Sequence, residues 1–387
     1  LSDQLADVAK TTGMSSEEVK KLNSELSKID TRTSTGDLHE IAIVAGQLGL
    51  AKSDVLGFTE AIDKANVALG DEFTGGAGQV AQELGKLRNI FSDVKSDKVD
   101  DDLLKIGNAL NNLASAGAAT GPVVADFANR IGGVGIPLGL TSAQVLGLSA
   151  TLQELNVSTE RGGTAVTKIL QKMARDTDQF AKVAGVPAKE FADLVNRDLF
   201  GAFQKVLEGS SKSSTGATQL AGILQELGVD GAGASEVISK LGSNTALLSD
   251  KVTLAGTSIQ KTDGITKEFN IKNETLGAAL DKLGKQFFSF ATSPTITGFL
   301  TNQVNNASNF IAALKGIPEW IERNAQTLRV LTEVAIAYRF NLIASTAASI
   351  ANTTAEVARN VQYEIGIRWL MLKDAATKAY AFSTGVL

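Results

Sequence analysis

Apolar residues three and four positions apart recur along the chain, separated by a short, repeated joint. Between Ser16 and Ile29 they are Val19, Leu22, Leu26 and Ile29, the spacing that gathers side chains on one face of a helix. Val55, Phe58, Ile62 and Leu69 repeat the pattern behind Ser53, which is predicted to cap their helix. Leu103, Leu104, Ile106, Leu110 and Leu113 repeat it behind Asp100, Asp101 and Asp102, whose charges suit the positive end of a helix dipole at an exposed helix start. Pro122 suits a first turn, and Thr141 is placed to cap a helix from Val145 to Leu155. No stretch keeps a two-residue alternation of β-branched residues, so strands are not expected.

The joints read Thr12-Gly13-Met14-Ser15, Leu48-Gly49-Leu50, Ala184-Gly185-Val186-Pro187 and Leu227-Gly228-Val229-Asp230, with Leu155-Asn156-Val157-Ser158 as a variant. Gly and Asn tolerate the left-handed conformation that closes a helix, and the apolar residue after them packs back on the last turn. Ser15, three residues before Glu18, matches a capping box. Gly13, Gly49, Asn156, Gly185 and Gly228 are therefore candidate helix corners, and the predicted fold is all-α, with many short Gly-cornered helices in its N-terminal region. Two stretches break the pattern. Ile131 to Gly139 is expected as an ordered turn between helices, and Glu208 to Thr215 as a polar surface loop.

Composition changes near Gln286. Of 37 glycines, Gly298, Gly316, Gly366 and Gly385 lie beyond it, and the charge balance there turns slightly basic. The expected division is a helical region over 1–285 and a Gly-poor hydrophobic helical region over 286–387. Residues 286–314 carry no charge but are interrupted by Pro294 and several Asn, Ser and Thr. A membrane-spanning helix needs ~20 predominantly apolar residues, and this run is too polar to be read as one. From Pro318 to about Tyr380 there is no further proline; ~60 helical residues would reach roughly 90 Å, unless broken at Gly366. Long amphipathic or hydrophobic helices are expected there. Phe287, Phe288, Phe290, Phe299, Leu300, Phe310, Ile311 and Trp320 admit two readings: packing against a partner helix or subunit, or insertion into a membrane during a triggered step.

Candidate chemistry changes this picture little. The 387 residues include no cysteine and one histidine, His39, which removes thiolate sites and most histidine chemistry. His39-Glu40 opens like a zinc-protease helix but lacks the second histidine, so His39 is expected on a helix surface. Ser92-Asp93-Val94-Lys95 has the spacing of a serine–lysine pair, without a supporting base or oxyanion hole, and is expected at the charged end of a helix. Gly132, Gly133, Gly135 and Gly139 depart from both nucleotide-loop spacings. Asp100 to Asp102 lacks the calcium-loop spacing. No catalytic residue, cofactor site or metal site is expected. A net charge of −5 argues against a nucleic-acid-binding module. The chain opens on Leu1 without a signal peptide and is read as a slice of a longer polypeptide.

Several strings resemble the core of phage tail tape measure proteins. They run from Thr12-Gly13-Met14-Ser15-Ser16-Glu17-Glu18-Val19 through Lys28-Ile29-Asp30-Thr31-Arg32-Thr33-Ser34, Asp37-Leu38-His39-Glu40-Ile41-Ala42 and Ala45-Gly46-Gln47-Leu48-Gly49. The similarity continues at Asn129-Arg130-Ile131-Gly132-Gly133-Val134-Gly135, Gln153-Glu154-Leu155-Asn156-Val157 and Glu160-Arg161-Gly162-Gly163-Thr164-Ala165-Val166, and fades after about Phe290.

The resemblance implies a non-enzymatic structural protein of the virion tail that lies in the tube, sets tail length and leaves before the DNA. It implies the tail tube protein, tail-tip or baseplate hub proteins and tail assembly chaperones as partners, and self-association as a homo-oligomer. It also places Phe287 onward where the family carries hydrophobic segments thought to open a path across the host inner membrane. The alternative is a free-standing α-helical pore-forming or membrane-remodelling protein.

Overall fold

The computed structural model describes residues 3–212, 218, 220–223, 225, 231–275, 277–279, 281–282 and 285. Among the described residues there is no strand. The helices are α1 (Asp3–Thr12), α2 (Ser16–Lys28), α3 (Thr35–Gln47), α4 (Val55–Leu69), α5 (Gly76–Ile90), α6 (Val99–Ser115), α7 (Gly121–Gly135) and α8 (Ser142–Glu154). They continue with α9 (Thr159–Met173), α10 (Thr177–Ala184), α11 (Ala188–Arg197), α12 (Leu199–Lys212), α13 (Gly231–Ser243), α14 (Thr245–Ser258) and α15 (Asp263–Asn273). Among the described residues no helix is long and apolar enough to cross a membrane. The expected boundary at Gln286, and the long helices expected beyond it, lie outside the described residues.

The contacts form two units. The first comprises Leu1–Ile29 and Thr35–Lys272; the second joins Asp30–Ser34 to the stretch that begins at Asn273. Within the first unit, α1, α3, α5, α7 and α9 pack one on the next in chain order. In addition α4 packs on α6, and α14, from late in the chain, packs on both α6 and α8. Three short helices, α10 to α12, pack together, and α13 joins α12 to α9. The early helices thus pack mainly on near neighbours in the chain, while α14 returns to α6 and α8.

Outer helices bury one stripe, as α2 does with Val19, Leu22 and Leu26. The central helix α8 is enclosed by its neighbours: Val145, Leu146, Leu148, Ala150 and Leu152 are buried together with Ser149 and Thr151. The two hydroxyls avoid an unmet hydrogen bond by donating to the carbonyls of Val145 (2.7 Å) and Gly147 (2.8 Å) in their own helix. The crossing of α8 and α14 is close enough to require glycine, since a Cβ at Gly147 would lie 2.5 Å from the Val252 Cα.

Four expectations are corrected. Ile131 to Gly139 is mostly helix: α7 runs to Gly135, and the turn occupies the residues after it. Gly132 serves packing, since a Cβ there would come within 2.8 Å of Ile90 Cγ2 on α5. Glu208 to Lys212 belongs to α12, because Ser210 and Ser211 turn their hydroxyls back onto helix carbonyls and Gly209 lies against the Val183 carbonyl of α10. Ser53 does not cap α4: it lies in a 3-10 turn, Lys52–Asp54, and its hydroxyl donates to Asp54 Oδ1 at 3.0 Å. Asp102 is no exposed helix-start acid but is buried at 0% exposure.

Candidate functional site: left-handed joints and buried polar anchors

The joints share one backbone geometry. Gly13, Gly49 and Gly185 have φ of +68°, +74° and +70°, and Asn156 has +53°. At Gly49 the Leu50 N–H donates back to the Ala45 carbonyl (3.2 Å) and the Gly49 N–H to Gly46 (3.0 Å). At Asn156 the same two bonds run from Val157 to Leu152 (3.0 Å) and from Asn156 to Gln153 (2.8 Å). At Gly185 they run from Val186 to Ala181 (3.1 Å) and from Gly185 to Lys182 (3.3 Å). This paired closure satisfies carbonyls that a helix end leaves open. Gly13 uses the simpler single bond, to Ala9 at 2.9 Å. Met14, Leu50, Val157 and Val186, the apolar residues that follow, pack on the core. Gly228 lies outside the described residues.

Space does not explain these glycines. A Cβ at Gly13, Gly49 or Gly185 would meet nothing within 4 Å, so it is φ alone that excludes a larger residue.

Sequence reasoning missed one joint of the same kind. Gly139 has φ +97°, with Leu140 bonded to Gly135 and Gly139 to Ile136, both at 2.9 Å. Its signal was present as Gly139-Leu140-Thr141, the same glycine, apolar residue and cap, hidden inside a stretch read as one long turn.

Two joints feed directly into a capping box. Ser15 Oγ accepts the Glu18 N–H at 3.3 Å while Glu18 Oε2 accepts the Ser15 N–H at 2.6 Å. Thr141 and Gln144 repeat the exchange at 3.2 and 2.9 Å. The Ser15 N–H and the Lys52 ammonium, 3.0 Å away, lower the Glu18 carboxyl pKa to about 2.

His39 and Asp93 prove to be polar anchors, and Lys251 is a third. His39 is buried at 6% exposure, contrary to the expected surface position, because α3 turns it toward α1 and α2. Its Nε2 lies 2.6 Å from Asn23 Oδ1 and its Nδ1 3.4 Å from Gln4 Oε1, and burial lowers its pKa. In the Ser92 to Lys95 turn, which follows α5 instead of ending it, Asp93 Oδ2 accepts both the N–H and the hydroxyl of Ser142 at 2.9 Å and so caps α8 from outside. Lys251, 5% exposed, pairs with Glu154 at 2.5 Å and donates to the Ala116 carbonyl at 3.3 Å. The Asn156 joint borders an open cleft of about 510 Å³ whose carboxylates, Glu83 and Asp126, are paired with Lys86 (3.1 Å) and Arg130 (3.0 Å).

Phe287, Phe288, Phe290, Phe299, Leu300, Phe310, Ile311 and Trp320 lie outside the described residues. No curated protein and no solved structure matches the chain. The family described as phage-related minor tail protein matches residues 16–227, more than half of the chain, and this span contains the joints at Gly49, Gly139, Asn156 and Gly185. The chain belongs to the phage-related minor tail protein family and is a phage tail protein.

Proposed function

We propose that the chain is part of the tape measure of its tail, a non-enzymatic protein that lies in the tube and sets tail length during assembly. The reading is supported chiefly by the serial order in which α1, α3, α5, α7 and α9 pack, and by the left-handed closures at Gly13, Gly49, Gly139 and Asn156 along that span. Such a chain folds as a stack when free and opens at its joints into helices laid end to end when confined. As one continuous helix, 387 residues would span roughly 580 Å at ~1.5 Å per residue. The partners are then the tail tube protein, the tail-tip or baseplate hub and the tail assembly chaperones, with several copies of the chain side by side. The uncharged stretch over 286–314 is proposed to meet the host inner membrane on release.

The test is an insertion series in the helical part of the parent protein, with tail length measured by electron microscopy. Each inserted residue should lengthen the tail by about 1.5 Å. Constant tail length across the series would sink the proposal.

A further inference from the structure

The link between α2 and α3 is gripped by residues far along the chain, from Asn273 to Lys282. Asn273, 6% exposed, donates from Nδ2 to the Asp30 carbonyl at 2.8 Å and accepts the Arg32 N–H on Oδ1 at 2.9 Å. One side-chain amide thereby fills a donor and an acceptor of a non-helical backbone, as a neighbouring strand would. The Arg32 guanidinium reaches Asp281, with Nε and Nη2 at 3.2 and 3.0 Å from the same Oδ2. Lys282 Nζ lies 2.9 Å from Asp30 Oδ1. Between these contacts Thr31 and Thr33 are buried, and the Thr33 N–H donates to Thr31 Oγ1 at 3.1 Å. All of these residues belong to the second unit.

The contacts differ in weight. The Asp30 side chain is 83% exposed, so its pair with Lys282 is screened by solvent and contributes little. Arg32 and Asp281, at 33% and 16%, are better shielded, and the buried Asn273 amide would leave two backbone groups unmet if removed. A link of six residues between two helices needs none of these long-range partners merely to turn the chain.

The geometry points to a polar latch, in which the Asp30–Ser34 link holds the stretch Asn273 to Lys282 and so tethers the start of whatever follows it. Among the described residues the contacts named above are hydrogen bonds and ion pairs, so a competing polar surface that offers the same groups opens the latch without unfolding the helical stack. Its place in function rests on the tape-measure reading: the latch is closed in the free chain and opens when the chain is drawn out in the tube.

Hydrogen exchange on the full chain tests the latch. Asn273→Ala and Asp281→Ala should each speed exchange over residues 273–282 by roughly tenfold, with α5 to α8 unchanged. Exchanging the charges, Arg32→Asp with Asp281→Arg, should recover most of the protection lost in Asp281→Ala. Unchanged exchange in both single variants, or no recovery in the swap, would overturn the latch. Tail length in the same variants reads the ruler separately and should stay at its normal value. A constant tail length in the insertion series would refute the ruler alone, while the exchange result would stand.

Discussion

Arg88 Nε donates to Asp102 Oδ2 at 2.9 Å, with the two residues 5% and 0% exposed. The pair is not left to itself: Ser96 gives Asp102 its N–H (2.8 Å) and its hydroxyl (2.7 Å), while Arg88 Nη2 donates to the Ser96 carbonyl at 2.7 Å. The turn from α5 to α6 is thus folded around one buried carboxylate.

Removing one partner should cost far more than removing both. Asp102→Ala strands a buried guanidinium and should destabilise the fold by about 3–5 kcal/mol, whereas Arg88→Met with Asp102→Leu should cost much less. Breaking the exposed Lys20–Glu17 pair should change stability by less than ~1 kcal/mol. Urea denaturation of the three variants checks the order.

The joints predict a different signature. Gly49→Ala and Gly185→Ala should each lose roughly 1–2 kcal/mol through backbone strain, with the packing around them undisturbed. Asn156→Gly should be close to neutral, since both residues tolerate positive φ. Gly147→Ala should instead disturb the crossing of α8 and α14, visible as faster exchange in both helices, because the Val252 backbone has no room to yield. Equal effects at all four sites would remove the distinction between glycines kept for φ and glycines kept for space.

His39 gives the stability a pH dependence of definite sign. Burial lowers its pKa from 6.5, so as pH falls the unfolded chain binds the proton first. The stability tied to neutral His39 is therefore intact above pH 6.5 and is lost as pH falls from there through the lowered folded value. Denaturant midpoints measured across this window should fall more steeply for the wild type than for His39→Gln.

Asn108 ties the late helices to the early ones. Its Nδ2 donates to the Ser258 carbonyl at 2.7 Å and its Oδ1 accepts the Ile265 N–H at 2.9 Å, across the connection from α14 to α15. Asn108→Ala should cost about 1–3 kcal/mol and speed exchange of the Ile265 amide, leaving α1 to α3 protected. An unaltered Ile265 amide would show that the connection holds without it.

Much of the local structure was legible in the residues. The Ser15 and Glu18 box, the start of α6 and the left-handed joints depend on groups within a few positions of one another, so short strings specify them. Gly139 carries the same string but sits in a run of glycines that reads as one turn, although Gly132 and Gly135 belong to α7 and Gly132 packs against Ile90.

What the sequence by itself determined is an all-helical chain of short pieces with its corners marked, because periodicity and capping are local. The tertiary structure decided what those marks could not: that His39 and Asp102 are inside, that α14 returns to α6 and α8, and that Asn273 closes on Asp30 and Arg32. A surface acid and a buried one read alike along a helix, and only the partner brought beside it, here Arg88, makes burial affordable.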